Sequence, residues 1–120
     1  MSSQISWYVE LQVEPGQLDA LRALTSEMVE SAKNEVGTLI YERFISEDSQ
    51  IVHVFERYID AAAAVTHLIA FKAIYGKRFG QMVARKRFTV FATPTRELKE
   101  ILDPFGATYI VPFAGFSRIK

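Results

Sequence analysis

The side chains in this sequence best suited to chemistry are two histidines, one carboxylate inside an apolar run, and a cluster of cations. His67 stands one helical turn from Ala63 and Phe71. An imidazole ionises near neutrality and can accept a proton there, so His67 is a candidate base or hydrogen-bonding group at a cleft. The same position also suits a partly buried histidine that bonds a strand carbonyl or Glu56 and fixes a helix on a sheet. His53 alternates with Ile51 and Phe55, which reads as a strand position at a surface or a subunit interface. Glu56 shares the parity of Val52, Val54 and Tyr58. A buried carboxylate must be paired or protonated, and Arg43, across an expected hairpin, is its candidate partner. Lys72, Lys77, Arg78, Arg85, Lys86 and Arg87 fall within residues 72–87 without an acid among them. Such a segment either cradles a phosphate or carboxylate or forms a solvated face.

Other chemistries lack their residues. The chain has no cysteine, which excludes disulfides, thiolate catalysis and Cys-based metal sites. Two histidines on different elements do not make a metal site. No phosphate-binding loop, dinucleotide fingerprint or Ser-His-Asp order is present. The net charge of zero argues against a general nucleic-acid binder, and no apolar run approaches the ~20 residues that span a bilayer. The start, Met1-Ser2-Ser3-Gln4, is unlike a secretory signal, so a cytoplasmic location is expected. Charge is segregated: residues 1–60 hold 11 acids and 4 bases, residues 61–120 hold 3 acids and 10 bases. Such segregation either binds an anion or lets one half complement the other, within or between subunits.

The elements that must position these residues follow from periodicity. Residues 5–13 alternate apolar and hydrophilic side chains, the pattern of a strand. Pro15-Gly16 ends it. Leu18, Leu21, Leu24, Met28 and Ala32 predict an amphipathic helix over 17–35, with Gly37 as its C-terminal glycine. Residues 38–46 and 51–58 read as a hairpin around Glu47-Asp48-Ser49-Gln50. The first of these strands has apolar residues on both faces, which calls for a covering layer on each side. Asp60 is placed to cap a second helix carrying Ala64, Leu68, Phe71 and Tyr75. Gly76 and Gly80 mark a bend or break, and 88–92 is a fourth strand. Beyond it, Thr93-Pro94 starts a short helix, Asp103-Pro104 stops it, and 109–111 is a small extra strand. The fold class is α+β: a ferredoxin-like split βαβ with an antiparallel sheet, plus a C-terminal helix–strand extension. Residues 1–92 form the domain. Residues 93–120 are the extension, packed on the same domain or on a partner subunit.

Three pieces carry a resemblance to a known family: Val13-Glu14-Pro15-Gly16 with Leu18 and Leu21; Glu35-Val36-Gly37-Thr38-Leu39 with Tyr41-Glu42; and Val54-Phe55-Glu56-Arg57-Tyr58 with Asp60, Ala63 and His67-Leu68. In this order they resemble the antibiotic biosynthesis monooxygenase superfamily of dimeric α/β barrels, which includes quinol monooxygenases. The resemblance implies a homodimer with its two sheets face to face. It also implies a cleft between sheet and helices that oxidises a quinol or polyphenol with molecular oxygen and no cofactor. Heme-degrading relatives depend on an Asn, a Trp and a His. Here the only Asn is Asn34 and the only Trp is Trp7, neither where those relatives need it, so heme degradation is not expected.

On this reading His67 assists deprotonation, and Trp7, Tyr58 and Phe71 line the pocket. No metal or other cofactor is expected. Two alternatives use the same residues: an isomerase of a small phosphorylated keto compound, with the basic segment as its phosphate grip, and a non-catalytic dimer that binds a small aromatic metabolite.

Overall fold

The computed structural model describes residues 3–118. Its elements run β1 (Ile5–Val13), α1 (Leu18–Ala32), β2 (Thr38–Ile45), β3 (Ile51–Tyr58), α2 (Ala61–Ile74), α3 (Gly76–Met82), β4 (Val83–Phe91), α4 (Arg96–Leu102), a 3-10 turn (Asp103–Phe105) and β5 (Thr108–Ile110). The sheet order is β2-β3-β1-β4-β5. The first four strands are antiparallel, and β5 adds in parallel to β4. Strand β3 sits between β1 and β2, which is the split βαβ arrangement.

Alternation along β1 decides which face is covered. Ile5, Trp7, Val9, Leu11 and Val13 are buried and point to the helices. The register sets Trp7 between Glu56 on β3 and Val90 on β4. Tyr41 on β2 lies beyond Glu56 in the same row. The helices close this face. Helix α1 contributes Leu21, Leu24, Met28 and Ala32. Helix α2 contributes Ala64, Val65, His67 and Leu68. Its N-terminus is capped by the Asp60 carboxylate, which accepts from the Ala63 N–H at 2.8 Å. Leu98 and Leu102 of α4 are fully buried, so the short helix of the extension belongs to the same core.

Several boundaries depart from the sequence expectation. Helix α1 ends at Ala32, and Glu35 lies in a turn closed by the Thr38 N–H to the Glu35 carbonyl at 3.0 Å. Gly37 is not a helix C-terminal glycine, since its φ is not positive. It is needed for closeness: a Cβ there would stand 2.5 Å from the Ala63 Cβ. The expected break falls at Tyr75–Gly76, where α2 gives way to α3, and Gly80 lies within α3. Strand β4 begins five residues earlier than expected, at Val83. A register shift opposite Glu10/Leu11 disrupts the alternation of its basic start. Helix α4 is capped by Thr95, whose hydroxyl accepts from the Leu98 N–H, rather than by Thr93.

Among the described residues, no helix covers the other face of the sheet. The register puts Tyr8 and Glu10, Phe44, His53 and Phe55, and Thr89 and Phe91 there. Phe44 is 58% exposed and Phe91 is 44% exposed. The chain leaves β5 with Phe113 and Phe116 almost wholly exposed. Among the described residues, no helix is long and apolar enough to cross a membrane.

Candidate functional site

Glu56 is buried in the centre of the covered face. It is tolerated there because donors converge on it. Trp7 Nε1–H donates to Oε1 at 2.9 Å, and the Tyr58 hydroxyl donates to the same oxygen. Arg43 donates from Nη2 to Oε2 at 2.6 Å, so the pairing expected across the hairpin is present. The Arg43 guanidinium lies 3.5 Å over the Tyr41 ring centroid, and its buried Nη1 has no partner among the described residues. Burial, then the charge and hydrogen bond of Glu56, push the Tyr58 hydroxyl far above its ordinary value of 10.0. It therefore remains a proton donor to Glu56.

His67 rests on this layer. Its ring is 5.1 Å from that of Tyr58 and edge-on to Tyr41 at 5.5 Å. Its Nδ1 is 2.8 Å from Glu35 Oε1. A carboxylate accepts here, so Nδ1 carries the hydrogen and donates. Nε2 is directed at Glu56 Oε1 across 3.6 Å, an ion-pair distance too long for a hydrogen bond. The turn after α1, the floor of the sheet and α2 thus meet in one chain: Glu35, His67, Glu56, Arg43. Gly37 makes the meeting possible by letting β2 approach α2.

Above it runs a cleft between α1 and α2. Met28 and Ala32 form one wall, Phe71, Ile74 and Tyr75 the other, with Glu35, Tyr41 and His67 at the floor. The enclosed space is about 10 Å³, room for roughly one water. Helix α1 packs on α3 and α2 packs on α4, and the seam between α1 and α2 is the weaker line of contact. Burial pushes the Tyr41 hydroxyl well above 10.0, an effect only partly offset by Arg43. Tyr41 is therefore a fixed donor at any working pH. A more spacious recess of about 660 Å³ opens between the turns at 14–16 and 49–50. It is lined by neither histidine nor aromatic residue, and its titratable side chains are Glu14 and Asp19.

Of the four residues expected at the site, His67 and Phe71 reach the cleft. Trp7 and Tyr58 are buried beneath it, with their polar atoms committed to Glu56. His53 is on the uncovered face, where its Nδ1 meets the Tyr8 hydroxyl. Of the cations in 72–87, Arg78 faces Glu27 at 3.5 Å. Tyr41 reads from the sequence as a strand aromatic, core or substrate platform, whereas Glu35 carries no chemical role there. Among the described residues, no group of three or more His, Asp or Glu side chains is placed to hold a metal ion.

A split βαβ sheet covered by helices on one face, with a His–carboxylate chain under an apolar cleft, defines an α+β protein of the ferredoxin-like class. The chain belongs to the antibiotic biosynthesis monooxygenase family, whose model matches residues 5–70, more than half its length. Among solved structures, MupZ from Pseudomonas fluorescens has a TM-score of 0.84 at 20% identity, covering 98% of this chain and 91% of that one. That likeness takes in the extension after Ala92. Rv0793 from Mycobacterium tuberculosis has a TM-score of 0.67 at 26% identity, covering 78% of this chain and 98% of that one. A conserved protein from Methanosarcina mazei has a TM-score of 0.66 at 17% identity, covering 77% and 93%. No curated protein matches the chain. The family supports a monooxygenase-like or binding role toward a small molecule.

Proposed function

We propose that this protein is a cofactor-independent monooxygenase that acts on a quinol or polyphenol, as a homodimer packed through its uncovered sheet face. The observation that carries the reading is the floor of the cleft. A histidine–carboxylate pair and a tyrosine fixed as a donor lie under apolar and aromatic walls. Such a reaction needs a group to take the substrate's proton, a donor to stabilise the resulting anion, and surroundings dry enough to hold oxygen. His67 assists deprotonation, and Phe71 packs on the ring. Trp7 and Tyr58 hold Glu56 in place under His67. The substrate anion then gives electrons to oxygen. One oxygen atom enters the ring, the other leaves as water, and a quinol becomes a hydroxyquinone.

A ligand pocket typically needs ~300 Å³ or more, so the walls must part on binding. The α1–α2 seam is the line along which they separate. The family match supports a monooxygenase-like chemistry. The test is oxygen uptake by metal-stripped protein with a panel of hydroquinones. Uptake above autoxidation, with one labelled atom from ¹⁸O₂ in the product, supports the oxygenase. Ligand binding without uptake would leave a binding protein. Turnover indifferent to oxygen, with affinity that falls in salt, would point to the isomerase.

A further inference from the structure

The groups at the floor of the cleft differ in what a bound molecule can reach. The side chains of His67 and Glu56 are 7% and 6% exposed, whereas that of Glu35 is 24% exposed. Both ring nitrogens of His67 are turned toward carboxylates, Nδ1 to Glu35 and Nε2 to Glu56. Nδ1 is committed to Glu35, and Nε2 faces the buried Glu56 carboxylate. Glu35 is held differently. Its Oε1 accepts from both His67 Nδ1 at 2.8 Å and Thr38 Oγ1 at 2.7 Å. Its Oε2 takes no bond among the described residues. Two donors on one oxygen fix the carboxylate plane and leave the other oxygen as an acceptor at the floor of the cleft. Tyr41 shares the lining, and its hydroxyl bonds to no described residue.

We propose that Glu35 is the group that meets the substrate: its Oε2 accepts the substrate's hydroxyl, Tyr41 donates to a second substrate oxygen, and His67 acts through Glu35 as a positioning residue. The assignment of a reaction to these contacts rests on the oxygenase reading, but the binding contacts do not. In the deprotonation step the substrate O–H bond breaks and the proton passes to Oε2. The electron pair stays on the substrate oxygen, which Tyr41 stabilises. Oε1 keeps both of its hydrogen bonds throughout. The ligand class is an aromatic ring that carries a free hydroxyl and a second oxygen able to accept, such as a catechol or a hydroxyl beside a ring carbonyl.

The experiment is calorimetry on the metal-free protein under argon, with catechol and 1,2-dimethoxybenzene as probes. Wild type is expected to bind catechol at least tenfold more tightly than its ether. Glu35→Gln, which keeps the size of the side chain, abolishes that preference. Glu35→Asp, which keeps the charge, retains part of it and serves as the second variant if the glutamine form does not fold. His67→Asn retains the preference but shifts the pH profile of oxygen uptake. The proposal is overturned if wild type shows no preference, or if His67→Asn loses it while Glu35→Gln keeps it. Absence of uptake with every quinol would overturn the oxygenase alone, because the anaerobic preference reports on Glu35 without turnover.

Discussion

Glu56 carries a charge in the middle of a sheet, and its neighbours show why it can stay there. Truncating it to alanine would strand the Arg43 guanidinium and the Trp7 and Tyr58 donors in the core. Breaking a buried pair by removing one partner costs about 3–5 kcal/mol. Chemical denaturation of Glu56→Ala is expected to show a loss in that range, and Glu56→Gln a smaller one. The tyrosines set a limit at the alkaline end. Tyr41 and Tyr58 ionise above 10.0 when folded and near 10 when unfolded. Their contribution is fully present below pH ~10 and is lost as pH rises further, by about 1.4 kcal/mol per pH unit for each tyrosine. Melting temperatures measured from pH 8 to 12 should fall steeply only above 10. The Arg43–Glu56 pair was legible in the sequence because a two-strand hairpin places those residues by parity alone. Glu35 was not. Its bond to His67 joins a turn to a helix 32 positions away, and no local pattern encodes that meeting.

At the scale of elements, the strands with clean alternation and the helices with a clean stripe were legible, and the exceptions have local causes. Glycines conceal α3, and a bulge conceals the start of β4. Gly37 reads as a helix end from its place in sequence, yet it acts as a spacer between β2 and α2. Gly37→Ala would bring a methyl against the Ala63 Cβ, and Ile59 Cγ2 at 3.3 Å leaves little room to shift. A loss of about 1–3 kcal/mol is expected for such overpacking. Because Glu35 precedes the same turn, ligand affinity should weaken as well, which calorimetry on the folded variant would show. The cap of α4 gives a milder test. Thr95→Ala removes the acceptor for the Leu98 N–H and should cost about 1 kcal/mol by thermal melting, while Thr93→Ala should cost much less.

At the scale of the molecule, the sheet is finished on one side only. The helix face was legible because alternation along β1 is nearly perfect. The open face was legible as a demand for cover, since β2 carries apolar residues on both sides. If two copies meet there, Phe55→Glu on β3 puts a charge into each sheet-on-sheet contact, and sedimentation should show the dimer replaced by a monomer at micromolar concentration. Phe113 and Phe116, after the fifth strand, are exposed in the single chain. The central claim is that the cleft floor deprotonates a phenolic substrate for direct reaction with oxygen. It is tested most directly by oxygen uptake of metal-stripped wild type and His67→Ala with the same hydroquinones. The account predicts uptake well above autoxidation in the wild type and a fall of about 10²-fold or more in the variant, the usual scale for losing proton-transfer assistance. Wild-type uptake no faster than autoxidation across the panel would contradict it.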